Sequence, residues 1–180
     1  MNKYIIKLKA ILPNFLTLMN LSLGILAIIL VIKNMNTAKE FINAIIYSSL
    51  LVLAAAVTDR LDGKLARMFG VTSELGKQLD SLSDLISFGV APVCISLKLY
   101  LSDFGWIGYI VSIIFVCAGA YRLARYNIAP FGKVFKGLPI TIAGALLAIN
   151  NIYICTLLIN KNFTNTYSVF SSIFIVILSF

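Results

Sequence analysis

Long apolar blocks separated by short polar connections fill this chain. Six blocks stand out: about Asn14 to Ile32, Phe41 to Thr58, Leu79 to Leu101, Trp106 to Asn127, Gly137 to Ile159 and Thr166 to Phe180. A helix needs about 20 apolar residues to cross a bilayer, and most blocks have that length. The second is expected to continue as helix beyond the membrane edge. The sixth is short, so that helix is tilted or thinly covered, or the sequence stops before its end. Ahead of the first block, Lys3, Lys7 and Lys9 interleave with Ile5, Ile6, Leu8, Ile11 and Leu12. That pattern predicts a short amphipathic helix over residues 1–12, lying on an anionic membrane face. No small-residue cleavage site follows the next apolar run, so it does not read as a cleaved signal. There is no internal repeat or linker. The expected fold is all-α: one domain, 1–180, a polytopic membrane protein with six transmembrane helices.

Composition strengthens this reading. Hydrophobic residues make up 60% of the 180 and charged residues 12%, more apolar surface than one soluble core of this size can hide. The net charge of +8 would suit nucleic acid, but the Lys and Arg sit at block edges, where membrane topology explains them. Eleven of the fifteen fall on one side: Lys3, Lys7, Lys9, Arg60, Lys64, Arg67, Lys77, Arg122, Arg125, Lys133 and Lys136. The positive-inside rule then puts both termini on the cytoplasmic side of the cell membrane. Asn20, Asn43, Asn150 and Asn151, inside apolar blocks, are expected to bridge helices. Tyr100, Trp106 and Tyr109 read as an aromatic belt on the outer side. Cys94, Cys117 and Cys155 have no metal-ligand spacing and read as buried thiols. There is no histidine, which removes every imidazole base and ligand.

Four of the seven acids fall within twenty-six positions. On helices, Asp59 and Asp62 share one face (i, i+3), and Asp80 and Asp84 share another (i, i+4). The stretch Gly63 to Lys77, with Gly70 and Gly76, is short enough to be a turn that lets the two pairs face each other. Four converging carboxylates must be solvated apart, protonated or neutralised by cations. With oxygen ligands alone, the fitting ions are Mg²⁺ or Mn²⁺, with Ca²⁺ a further candidate, and two ions would suit phosphoryl chemistry. The plainer alternative is a set of interfacial charges, with Asp59 paired to Arg60 or Lys64.

The spacing reads D-x2-D-G-x2-A-R-x8-G-x3-D-x3-D, from Asp59, Asp62, Gly63, Ala66, Arg67 and Gly76 to Asp80 and Asp84. Chance would give these eight positions on the order of once in 10⁹ starting points. The run resembles the signature of the CDP-alcohol phosphatidyltransferase family. The resemblance implies that Asp59, Asp62 and Asp80 bind metal and that Asp84 is the general base, with a possible contact to metal as well. It also implies a homodimer. Physical roles fit beside it. Gly63 and Ala66 lack bulk, so a nucleotide can approach the backbone. Arg67 can fork onto phosphate oxygens, and Gly76 permits a turn or a close helix contact. Pro13-Asn14-Phe15-Leu16-Thr17 also resembles the family, where this region lies near the nucleotide. Pro13 would be the first residue of a helix, and Asn14 and Thr17 join the CDP-diacylglycerol set, Asn14 equally readable as a plain interfacial residue. Lys64 and Lys136 are pyrophosphate candidates, though each taken alone reads more readily as part of a solvated basic loop.

The acceptor is read from two stretches. Ser81 to Pro92, and Tyr121 to Asn127 followed by Lys136-Gly137-Leu138-Pro139, resemble the phosphatidylserine synthase branch. Glycerol phosphate acceptors usually go with Pro after the third Asp and Lys after the fourth, where this chain has Ser81 and Leu85. Arg122 and Arg125 suit a serine carboxylate, though they also suit an acceptor phosphate or anionic lipid. Asn127 suits the serine ammonium or a helix cap, and Lys136 completes the serine set. The expected reaction moves a phosphatidyl group from CDP-diacylglycerol to serine, releasing CMP. The rivals are another acceptor, glycerol 3-phosphate or an inositol compound, or, in a different class, a divalent-cation transporter.

Overall fold

A computed structural model describes residues 3–70, 73–128, 138–160 and 165–179; the side chains of 3–13, 66–67 and 165–166 lie outside that description. The described chain is helical. In order come α1 (Lys3–Ile32), α2 (Ala38–Phe69), α3 (Glu74–Asp84), a π-helical segment (Leu85–Val90), α4 (Ala91–Leu99), a 3₁₀ turn (Leu101–Phe104), α5 (Trp106–Ile128), α6 (Ile140–Ile159) and α7 (Asn165–Ser179). From α3 to α4 the backbone is one rod, Glu74–Leu99. Five helices are long and apolar enough to cross a membrane, and the apolar part of α7, Tyr167–Ser179, is shorter. Large apolar side chains such as Ile29, Ile32, Ile110, Ile113 and Phe170 point outward, as a bilayer-solvated bundle requires.

Several boundaries differ from the sequence reading. The stretch 3–12 is helical but continuous with the first span, so Pro13 lies inside α1 and does not begin a helix. α2 does run past the membrane block, through Gly63 as far as Phe69. The expected turn over 63–77 therefore contracts to a few residues. Gly70 holds φ +61°, a left-handed conformation that glycine adopts without a steric penalty. Ser73 then caps α3, its Oγ accepting from the Gly76 N–H at 3.0 Å, which starts this helix five residues before the apolar block.

The π-helical turn follows Asp84 directly. It ends just before Pro92, which has no N–H for Phe88 and whose ring disrupts a regular ladder. Small residues receive the widened backbone on two sides. A Cβ at Gly24 of α1 would lie 2.8 Å from Ser87 Cα, and one at Gly144 of α6 would lie 2.7 Å from Phe88 Cα. Polar ties reinforce the same contacts, with Ser83 Oγ donating to Thr17 O at 3.2 Å and Ser87 Oγ to Asn20 O at 3.0 Å. Around them pack Ala27, Val31, Ile45, Val52, Phe88, Ala91, Ile95 and Ala148. A second cluster, with Tyr100, Phe115, Leu147, Ile154 and Ile175, joins α4 through α7.

The bridging asparagines divide. Asn151 ties α6 to α4, accepting from Ser96 Oγ at 2.9 Å and donating to Pro92 O at 3.3 Å. Asn150 accepts from Ser171 Oγ of α7 at 3.4 Å, and Asn20 reaches Asp84. Asn43 is exposed and bridges nothing among the described residues. Trp106 and Tyr109 are exposed and meet edge to face, with ring centroids 6.0 Å apart. Tyr100 is fully buried, because the turn at Leu101–Phe104 folds it into the second cluster, so it is not part of a belt. Only Cys155 is a buried thiol; Cys94 is half-buried and Cys117 faces outward.

Candidate active site

Asp59 and Asp62 sit one turn apart on α2, Asp80 and Asp84 one turn apart on α3. α2 and α3 each offer an acidic face to the other. Asp59, Asp62 and Asp80 each present one carboxylate oxygen to a common point, all within 4.8 Å of one another. Asp84 lies one step deeper, buried, within hydrogen-bonding range of Asp59. Asp62 and Asp84 are buried, Asp59 and Asp80 half-buried. α2 continues from Asp59 to Phe69, which at the helical rise is about 15 Å.

Other helices hold the acids in place. Thr17 Oγ1 of α1 donates to Asp62 Oδ2 at 3.0 Å, and Asn20 Nδ2, one turn on, donates to Asp84 Oδ1 at 3.3 Å. Thr141, in the first turn of α6, lies near Asp59. Neither Asn20 nor Thr141 was singled out for the site from sequence. Asn20 carried a signal, since it shares the helical face of Thr17. Thr141 carried none, because only packing places the α6 terminus there.

The trio fits a divalent cation. Two oxygens on one Mg²⁺ can be no more than about 4.2 Å apart, and on Ca²⁺ about 5 Å, so little closure is needed. The donors are hard oxygens from two helices, and their partial burial thins the water around their negative charge.

The remaining predicted residues have mixed placements. Gly63 has no described atom within 4 Å of where a Cβ would stand, so internal packing does not call for glycine there. Gly76 does meet a neighbour: its Cβ would lie 3.1 Å from Asn14 Oδ1, so the start of α3 and Asn14 are side by side. Lys64 is exposed. The side chains of Ala66 and Arg67, and all of Lys136, lie outside the described residues. Asn127 meets α3, its Nδ2 donating to Ser81 Oγ and its carbonyl accepting from Lys77 Nζ, both at 2.8 Å. This brings the end of α5 next to Asp80. Arg122 turns elsewhere. Its guanidinium donates to the backbone oxygens of Leu138, Leu178 and Ser179, while Arg125 is exposed.

Comparison with known proteins decides the family. The sequence model of the CDP-alcohol phosphatidyltransferases matches residues 10–178. The chain belongs to that family. A CDP-diacylglycerol–serine O-phosphatidyltransferase from Helicobacter pylori (strain ATCC 700392 / 26695) is 39% identical over 154 residues, 83% of this chain and 58% of the relative. An archaetidylserine synthase from Methanothermobacter thermautotrophicus is 37% identical over 169 residues, 92% of this chain and 64% of the relative. A CDP-diacylglycerol–serine O-phosphatidyltransferase from Bacillus subtilis is 32% identical over 139 residues, 76% of this chain and 73% of the relative. The chain thus spans little more than half the length of the Helicobacter relative.

Proposed function

We propose that this chain transfers the phosphatidyl group of CDP-diacylglycerol to the hydroxyl of L-serine, giving phosphatidylserine and CMP. The observation that carries it is the convergence of Asp59, Asp62 and Asp80 to within 4.8 Å, with Asp84 beside Asp59. The names of the relatives support serine as the acceptor. Asp59, Asp62 and Asp80 would hold Mg²⁺ or Mn²⁺, and Asp84, outside the converging trio, would be the base. A bound divalent ion supplies positive charge to the diphosphate oxygens.

The residues divide the remaining work. Gly63, with open space above it, lets the nucleotide reach α2, and Asn14 and Gly76 lie side by side where α1 meets the start of α3. Asp84 takes the proton of the serine hydroxyl. That oxygen bonds to the phosphorus carrying the diacylglycerol, and the bond from that phosphorus to the CMP oxygen breaks. Arg125 and Asn127 are the described members of the serine set closest in role to the expectation. Arg122, occupied by backbone carbonyls, fits better as a brace.

Both termini and the site are proposed to face the cytoplasm, and two chains to form a homodimer. The acids lie nearer to Gly70 and Ser73 than to the opposite ends of α2 and of the α3 rod, and they come from two helices only. The deciding experiment is CMP release by the purified protein in detergent or vesicles, with serine and glycerol 3-phosphate compared. Release with serine supports the reading. Release with glycerol 3-phosphate alone transfers the acceptor, and none with any alcohol removes the activity.

A further inference from the structure

Asn20 has an odd position. It is fully buried on α1, one turn from Thr17, and its amide nitrogen donates to Asp84 Oδ1 at 3.3 Å. Ionised, Asp84 only accepts, and the amide turns its NH₂ toward it. Its own Oδ1 is then left with no hydrogen-bond partner, out of contact with solvent. A buried, unpartnered carbonyl is a cost, and an asparagine kept for stability alone would be replaceable by an apolar residue of similar size. The backbone around it is fixed independently, by Ser83 Oγ on Thr17 O, Ser87 Oγ on Asn20 O, and the close approach at Gly24. So α1 is held against α3 without the amide.

We infer that Asn20 is a positioning residue: it fixes the rotamer of Asp84 by holding Oδ1, so that the other carboxylate oxygen faces the acceptor hydroxyl. Thr17 does the parallel task for Asp62. One face of α1 thereby orients a residue of each acidic pair, the first for the ion site and the second for proton removal. This inference rests on the proposed phosphatidyl transfer with Asp84 as base, but not on which alcohol accepts.

The test is Asn20→Leu beside the wild type and Thr17→Val, each purified whole in detergent. Four quantities are read: thermal unfolding, Mn²⁺ affinity by electron paramagnetic resonance, the KM of each substrate, and kcat from CMP release. Asn20→Leu is expected to fold, with a loss of unfolding temperature no larger than that of Thr17→Val, to bind Mn²⁺ as wild type, and to keep both KM values. Its kcat should fall roughly 10- to 100-fold, the effect of losing a hydrogen bond to a charged group. Thr17→Val should instead weaken Mn²⁺ binding. Wild-type kcat in Asn20→Leu overturns the inference, and so does a loss of Mn²⁺ affinity equal to that of Thr17→Val. If Asn20→Leu does not fold, Asn20→Ala is read in the same way, and failure of both assigns Asn20 to folding and overturns the inference. A wild type that releases CMP with no alcohol removes the activity and this inference together. One that prefers another alcohol changes only the acceptor.

Discussion

Replacing Asp84 by asparagine keeps its shape and removes its capacity to take a proton. CMP release by Asp84→Asn is expected to fall by roughly 10²- to 10⁴-fold, the usual range for losing a general base, while the protein still binds CDP-diacylglycerol. Normal turnover in a single-turnover assay would remove Asp84 from that role. The two arginines at the end of α5 separate by their surroundings. Arg122 donates to three backbone carbonyls on α7 and at the entry to α6, and hydrogen bonds from a charged donor contribute about 1.5–3 kcal/mol. Arg122→Ala should therefore lower the unfolding temperature. Arg125 is exposed, so Arg125→Ala should leave unfolding unchanged and raise the serine KM; an unchanged KM would return it to the membrane surface as a lipid anchor.

Helix contacts set the next scale. The widened turn at Leu85–Val90 leaves no room for side chains where α1 and α6 approach it. Gly144→Ala would put a Cβ 2.7 Å from Phe88 Cα, contact with backbone that cannot rotate away. Overpacking of this kind costs about 1–3 kcal/mol, so earlier thermal unfolding is expected, together with reduced turnover because Asp84 precedes the same turn. Unchanged unfolding would mean that α6 can shift outward at no cost. α1 contributes differently. It supplies no acid, but Thr17 and Asn20 hold one acid of each pair, which makes it the inner wall of the site.

At the scale of the molecule, a bundle that gathers acids from two helices gains by binding a cation. EDTA should stop CMP release, and Mg²⁺ or Mn²⁺ should restore it; activity in excess chelator would count against an ion held by the trio. Orientation is separately testable. The connection between α1 and α2, with Lys33 and Lys39, should be labelled from outside the cell at an introduced cysteine, and a cysteine at Gly70 only from inside.

Hydrophobic blocks alone determined that the chain is a helical membrane bundle, because each span must satisfy its own backbone and so is written locally. The signature spacing likewise determined the four acids and the family, since i, i+3 and i, i+4 pairs lie on known faces of any helix. Contacts between distant segments were not legible. The burial of Tyr100, the exposure of Asn43 and Cys117, and the engagement of Arg122 by α7 depend on which helix packs where. So does the pairing of Asn20 with Asp84, sixty-four residues apart. Side-chain direction on a helix follows from sequence, but its partner is chosen by packing, and that choice is made only when the bundle closes.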